Sequence, residues 1–185
     1  MPSPTRITTL ALVVYGPLTV GALAWAWLAG GRFAWSLESP WLVAPYAARL
    51  ALSLALGFAL ALVVVAMTPG LVERTRWARA LHVELQKVIA PLSSGEITVL
   101  ALASGFAEEL FFRGALQPVV GLLIASVVFG ALHVGPRPVF FAWTAWAFVM
   151  GLLFGSIFEL TGVLWGPILA HVWINLRNMT FIQRH

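Results

Sequence analysis

Long runs of apolar residues, separated by short polar breaks, dominate the chain. Most of these runs approach the roughly 20 residues that an α-helix needs to cross the hydrocarbon core of a bilayer. We therefore predict an all-α, polytopic transmembrane bundle of about six spans, forming a single membrane domain over residues 1–185. The predicted spans are residues 8–29, 47–67, 97–117, 119–133, 139–158 and 163–182.

Residues 71–92 have a different pattern, in which apolar residues recur at helical spacing opposite a mostly basic face. The apolar stripe consists of Trp77, Leu81, Leu85, Val88 and Ile89. This pattern predicts an amphipathic interfacial helix; a solvated connector packed on the bundle is the alternative. The sequence Thr68-Pro69-Gly70, just before it, predicts the end of the second span.

Composition supports a membrane protein, because 61% of the 185 residues are hydrophobic and only 10% are charged. A soluble domain would carry about 25% charged residues. There is no cysteine, which excludes disulfides, thiolate metal ligands and a cysteine nucleophile. The net charge of +4 does not indicate a nucleic-acid partner, since the basic residues are scattered or flank apolar runs.

The distribution of basic residues predicts the orientation. Arg32 and Arg49 would lie on one side of a six-span bundle. The other side would collect Arg6, Arg74, Arg76, Arg79, Lys87, Arg137, Arg177 and Arg184. The positive-inside rule then places both termini in the cytoplasm. Ten arginines against one lysine, with abundant alanine and glycine, indicate a GC-rich coding sequence and a bacterial inner membrane. The oligomeric state stays open.

Three charged residues interrupt the third predicted span, namely Glu108, Glu109 and Arg113. A charge at bilayer depth costs about 3 to well over 10 kcal/mol, so these side chains must face a protein interior or a wet cavity. Glu109 and Arg113 are four residues apart and can pair on one helical face. Glu108 projects about a quarter turn away and is free to act. A purely structural salt bridge is the alternative, but it explains only one of the two carboxylates.

Three further polar residues lie in apolar spans: His133, His171 and Asn175. With a carboxylate they form a set that can deprotonate water, position it and stabilise an oxyanion. Each residue taken alone can equally be an interhelical hydrogen-bond group. Two histidines and a glutamate are also a possible zinc set.

A serine-protease site is less consistent with the sequence, although Ser104 and Ser126 lie in predicted spans. There is no GxSxG motif and no aspartate in the chain, and no HExxH motif is present for a zincin-type site. Any metal site would have to be assembled from separate helices. Glu108 would lie about 18 Å into its span, whereas His133 ends the next one. A tilted or broken fourth span is needed to bring them together.

At this point the residues resemble a known family. The stretch from Glu108 to Arg113 is similar to the EExxxR motif of the CPBP (Abi, CAAX prenyl endopeptidase) family of intramembrane proteases. Phe129 to His133 resembles its FxxxH motif, and His171 to Asn175 its HxxxN motif. The similarity extends over about residues 96–175. Three motifs in order, each in a separate apolar run, are far more specific than any one alone.

The resemblance implies a role for each residue of the site. Glu108 would be the base that activates water, and Glu109 with Arg113 would hold the geometry of the site. His133 would assist the attacking water. His171 and Asn175 would bind the developing oxyanion. We favour this glutamate mechanism without a cofactor, and zinc is the alternative.

The sequence thus predicts an intramembrane endopeptidase that cuts a membrane protein or lipid-anchored peptide near a membrane-embedded or C-terminal segment. Whether that substrate is prenylated stays open. One rival is a non-catalytic binding or immunity protein of the same fold. The other is a small ion- or proton-coupled transporter, in which the carboxylates would relay protons or bind cations. Repeated halves, which many transporters have, are absent from the sequence.

Overall fold

A computed structural model describes residues 4–30 and 33–185. Arg32, which entered the charge count, lies outside these residues, and the side chain of Arg6 is not described either. The described residues form seven α-helices and one π-helical segment, without a β-strand. The α-helices are α1 (Pro4–Gly30), α2 (Tyr46–Arg74), α3 (Arg76–Ile89), α4 (Ser94–Glu109), α5 (Gln117–Ala131), α6 (Phe140–Thr161) and α7 (Trp165–Arg184), and the π-segment Leu110–Leu116 joins α4 to α5.

The all-α fold is confirmed, but the count of six spans is not. Within the described residues, four helical stretches are long and apolar enough to cross a membrane. They are Ile7–Ala29, Tyr46–Arg74, Ser94–Ala131 and Phe140–Thr161. The third stretch is 38 residues long and includes the predicted span 97–117 and most of the predicted span 119–133. The predicted span 163–182 corresponds to α7, which is not among the four.

The predicted end of the second span at Thr68-Pro69-Gly70 is wrong. Helix α2 continues through Pro69 to Arg74, and the chain turns only at Thr75, whose backbone is extended. Membrane helices tolerate an internal proline when neighbouring groups satisfy the freed carbonyl. The Thr68 hydroxyl donates to the carbonyl of Val64 at 2.9 Å, one residue before the carbonyl of Val65 that Pro69 leaves without its helical donor. The amphipathic helix therefore begins at Arg76 rather than at residue 71.

The start of α4 is fixed by a capping box. The Ser93 hydroxyl accepts a hydrogen bond from the backbone N–H of Glu96, and the Glu96 carboxylate accepts from the backbone N–H of Ser93 at 2.7 Å. These bonds satisfy donors that a helix N-terminus otherwise leaves unpaired. The start of the helix that carries Glu108 and Glu109 is thereby locked.

The fourth predicted span is broken. A tilt or break was expected here, because the span is short and His133 at its end has to approach Glu108. Gly121, inside α5, has φ 82° and ψ 164°, a backbone conformation that residues with a Cβ rarely adopt. This glycine redirects the chain between the π-segment and His133. The helical run from Ser94 to Ala131 is thus bent rather than a straight rod.

The loop before α2 packs on the connection between α6 and α7. Backbone N–H groups of Leu37 and Trp41 donate to the carbonyls of Gly162 and Glu159 at 3.0 and 2.9 Å. Gly162 ends α6 in the left-handed conformation, with φ 65°. Ser36 also forms an isolated bridge with Val163. The loop and the α6–α7 turn therefore form one layer at this end of the bundle.

The core consists of small residues at helix crossings and aromatic residues around the site. Ala22 and Ala26 of α1 pack with Leu110 and Phe158 in one buried cluster. Close approach is tightest between α2 and α7, where a Cβ added to Gly57 would lie 2.1 Å from the carbonyl oxygen of Gly166. Small residues at such crossings are the usual device for packing helices in membranes.

Helix α3 lies across one end of the bundle. Arg137, in the α5–α6 loop, donates to the Glu84 carboxylate at 2.8 Å, which ties α3 to that loop. Hydrogen bonding from Lys87, with the charge of Arg137 adding to it, lowers the pKa of Glu84. On the α7 side, His82 packs edge-on against Phe181 with 5.4 Å between ring centroids. Burial, and then the charge of His185, lowers the pKa of His82.

The α2–α7 crossing generates a prediction about stability. We expect Gly57→Ala to lower the thermal unfolding midpoint of the protein in detergent, because its Cβ would overlap the Gly166 backbone. Overpacking of this kind costs about 1–3 kcal/mol. Thermal unfolding followed by tryptophan fluorescence measures it. The control is Gly70→Ala on the same helix, where an added Cβ meets nothing within 4 Å. Equal midpoints for the two variants would contradict the crossing.

Candidate active site

One carboxylate oxygen joins three of the six predicted site residues. Glu109 Oε1 accepts a hydrogen bond from Arg113 Nη1 at 3.0 Å and from His171 Nδ1 at 2.8 Å. All three residues are buried, and Glu109 has no exposed surface. The predicted Glu109–Arg113 pair is therefore present, and it extends to a second helix through His171.

The Arg113 guanidinium is enclosed by aromatic rings. Its central carbon lies 4.3 Å from the ring centroid of Phe129 and 5.4 Å from that of Phe154. Nη2 also donates to the carbonyl of Gly151 at 3.4 Å. Cation–π contacts of this type are strongest when the cation has been removed from water. The motif position Phe129 therefore supports the arginine as well as the neighbouring histidine.

Glu108 has a different environment. Its Oε2 lies 3.8 Å from His133 Nε2 and 3.9 Å from His171 Nε2. These distances exceed a direct hydrogen bond. Within the described residues, Glu108 Oε2 is buried without a hydrogen-bond partner. The adjacent carboxylates thus divide into a paired one and one directed at two imidazoles.

Both histidines are held through Nδ1, which turns Nε2 towards Glu108. His133 Nδ1 donates to the carbonyl of Phe129 at 2.7 Å, while His171 Nδ1 donates to Glu109. An ionised carboxylate and a carbonyl only accept, so both Nδ1 atoms carry the proton. The ring of His171 is also stacked on Phe154, with centroids 5.2 Å apart. Ring orientation and tautomer are therefore fixed by the fold.

Asn175 reaches the site through a serine. Its Nδ2 donates to Ser104 Oγ at 2.9 Å, which leaves one amide N–H for another acceptor. Ser104, in turn, interacts with the hydroxyl of Tyr15 on α1, and Tyr15 interacts with Glu108. From the sequence, Ser104 was only a weak candidate for a nucleophile, and Tyr15 was not a candidate site residue. The one feature that could have indicated Tyr15 is a hydroxyl group in an apolar span.

These groups line a cavity of about 780 Å³. Glu108, His133, His171 and Asn175 contribute polar atoms, and most of the remaining lining is apolar or aromatic. Four residues of the predicted apolar stripe of α3 face this cavity, namely Trp77, Leu81, Leu85 and Ile89. The stripe residue Val88 is instead exposed. Helix α3 therefore lines the cavity with most of its apolar stripe, and its place at the membrane interface stays a prediction.

Zinc is the alternative cofactor, so the side chains of the site can be compared with the ligands that zinc requires. Glu108, His133 and His171 are the donor types that zinc prefers. Within the described residues, however, no three His or Glu side chains are grouped closely enough to hold a metal ion. The arrangement of these side chains therefore does not fit a metal ion.

The structure therefore brings all six predicted residues into one region. Glu109 and Arg113 are interior partners, Glu108, His133 and His171 converge, and Asn175 connects through Ser104. Ser126, the other serine considered, bonds the carbonyl of Leu122 on its own helix at 2.7 Å. The catalytic roles of the six residues stay predictions.

Fold and site together define an integral membrane protein with a carboxylate and two imidazoles at an apolar cavity. Residues 90–177 match the family described as type II CAAX prenyl endopeptidase Rce1-like. This match to the Rce1-like family confirms the resemblance seen in the sequence. All six predicted site residues lie inside it.

A curated relative also matches part of the chain. The chain is 39% identical over 93 residues to the uncharacterized protein YpbD of Bacillus subtilis strain 168. The match covers 49% of this chain and 47% of that relative, so the chain spans about half the length of the curated protein it matches. No solved structure matches the chain.

The buried ion pair generates a prediction about folding. We expect Arg113→Ala to reduce the yield and thermal stability of the protein in detergent, because Glu109 would keep its charge without its cation. Breaking a buried pair on one side costs about 3–5 kcal/mol. The control is Arg137→Ala, which removes an exposed cation from the Glu84 pair. Unchanged stability for Arg113→Ala would show that the pair is not the structural anchor.

Proposed function

We propose that the protein is an intramembrane endopeptidase that hydrolyses a peptide bond near a membrane-embedded or C-terminal segment of its substrate. The observation that carries this proposal is the convergence of His133 Nε2 and His171 Nε2 on Glu108 Oε2 at 3.8 and 3.9 Å. A water admitted between these groups would contact one base and two imidazoles. The Rce1-like match over residues 90–177 supports the same reaction class.

In the proposed reaction, Glu108 takes a proton from the bound water as the water oxygen attacks the scissile carbonyl carbon. His133 holds the water from its other side. Collapse of the tetrahedral intermediate breaks the C–N bond, and the proton on Glu108 passes to the leaving amine. The products are a carboxylic acid and an amine, so a single water supplies every atom added.

The oxyanion site is assigned to His171 and Asn175. Asn175 has one amide N–H left after its bond to Ser104, and His171 Nε2 faces the same cavity. The Asn175 amide, fixed in a water-poor site, would stabilise developing charge without having to reorganise during the reaction. His171 would add to this once Nε2 carries a proton. Glu109 and Arg113 act indirectly, because they hold His171 in place.

The cavity supports an apolar substrate segment. It has room for a drug-sized or longer group, and aromatic side chains such as Trp77 and Trp143 line it beside the polar site. We propose a membrane protein or lipid-anchored peptide as substrate, and a prenyl group is one of the anchors that this lining would accept. From the basic residues on and beside α3, we propose that the cavity end of the bundle lies on the cytoplasmic side of a bacterial inner membrane.

We expect Glu108→Gln to abolish proteolysis while leaving the folded protein intact, because the amide keeps the shape but cannot accept a proton. Cleavage is measured in proteoliposomes with two quenched CAAX-type peptides of one sequence, one farnesylated and one unmodified. Loss of the base is worth at least the 10²–10⁴-fold typical of general-base catalysis. Glu73→Gln, the same change at an exposed residue at the end of α2, is the control.

A cleaving Glu108→Gln protein would remove the general-base assignment. A protein that cleaves neither peptide under any condition, with Glu108 intact, would favour the non-catalytic alternative. Preference for one peptide over the other identifies whether the prenyl group contributes to recognition.

A metal measurement separates the two mechanisms that the sequence left open. We expect the purified protein to carry less than one zinc per chain and to keep its activity after dialysis against a chelator. Elemental analysis and the peptide assay on the same sample measure both. Stoichiometric zinc, lost together with activity and restored with it, would replace the glutamate mechanism by a metal-dependent one.

A further inference from the structure

Helix α1 brings one polar side chain to the cavity. Of the described α1 residues that line it, Val14, Tyr15 and Leu18, only Tyr15 is polar. Tyr15 lies outside residues 90–177, the region that matches the Rce1-like family. A polar group at this depth requires a partner, and the partner that it has is the proposed base.

The tyrosine hydroxyl connects two groups of the site. It interacts with the Glu108 carboxylate and with the Ser104 hydroxyl, and Ser104 accepts a hydrogen bond from Asn175 at 2.9 Å. A chain of polar contacts thus runs from Asn175 through Ser104 and Tyr15 to Glu108. It joins α7, α4 and α1.

The position of Tyr15 is set by packing further along α1. Ala22 and Ala26 are fully buried against the π-segment and α7. Trp25 packs edge-on against Phe111, with ring centroids 6.0 Å apart. The α1 backbone is therefore anchored on the segment that follows Glu108, and a hydroxyl on α1 has a defined position relative to that carboxylate.

We infer that Tyr15 is a positioning residue for Glu108. Tyr15 and Glu108 line the same cavity, and a phenol donates to a carboxylate. Glu108 Oε2 has no hydrogen-bond partner among the described residues, so the hydroxyl would hold the other oxygen. With one oxygen held, the carboxylate cannot rotate freely, and Oε2 stays directed at His133 and His171. This inference rests on the proposed function, and it assigns part of the site to an element outside the matched region.

The test is Tyr15→Phe, which removes only the hydroxyl. We expect kcat for peptide cleavage to fall about 10- to 100-fold, the range for losing one hydrogen bond to a charged group. KM and thermal stability should stay near wild type, because the ring still lines the cavity. Tyr46→Phe, the same change at the start of α2 and at the only other tyrosine, is the control.

The outcomes separate the inference from the proposed function. Wild-type kcat in Tyr15→Phe, with Glu108→Gln inactive, overturns the inference alone. A raised KM with unchanged kcat also overturns it, since Tyr15 would then bind substrate rather than hold the base. Activity in Glu108→Gln overturns the proposed function instead.

A second measurement does not depend on activity. The chain has two tyrosines, so the Tyr46→Phe protein labelled with 3-fluorotyrosine reports on Tyr15 alone. We expect its ¹⁹F resonance to shift when Glu108→Gln is added and to stay in place when Glu73→Gln is added. Equal resonances in all three proteins would show that the hydroxyl does not contact Glu108.

Discussion

The site depends on a single oxygen, Glu109 Oε1, which accepts two hydrogen bonds. Arg113 and His171 both donate to it, from the π-segment and from α7. A charge in this interior is tolerable only when it is paired, so Arg113 and Glu109 require each other, and the fold must keep both in place. His171 takes its orientation from the same atom. The structural carboxylate thus sets the geometry around its neighbour Glu108.

The adjacency of the two glutamates has a simple physical outcome. Successive helical residues point about 100° apart, so one carboxylate turns inward to the arginine and the other turns to the cavity. Glu109 is fully buried, whereas the Glu108 side chain retains 13% exposure. Two identical side chains therefore have different environments. Glu109 is enclosed beside Arg113 and His171, whereas Glu108 lines the cavity.

Much of the site was predictable because charges and imidazoles in apolar runs are costly and therefore conspicuous. The pairing of Glu109 with Arg113 follows from their spacing alone. The π-segment was not predictable, because Leu110–Leu116 carries no signal that distinguishes it from an α-helix. Tyr15 was missed because its partners lie far along the chain. Pro69 misled because a membrane helix can continue through a proline, as α2 does to Arg74.

The proton on Nδ1 of His171 determines when this residue can stabilise an oxyanion. With that proton held by Glu109, Nε2 of the resting imidazole is a bare lone pair and accepts rather than donates. An oxyanion needs a donor, so His171 can serve it only after Nε2 has taken up a proton. The proton that Glu108 takes from water is within reach, because Nε2 lies 3.9 Å from Glu108 Oε2, and it would have to return to Glu108 before the amine leaves. Stabilisation of the oxyanion by His171 would then begin only after the water has been deprotonated, so the hydrogen bond to Glu109 sets the order of the two steps.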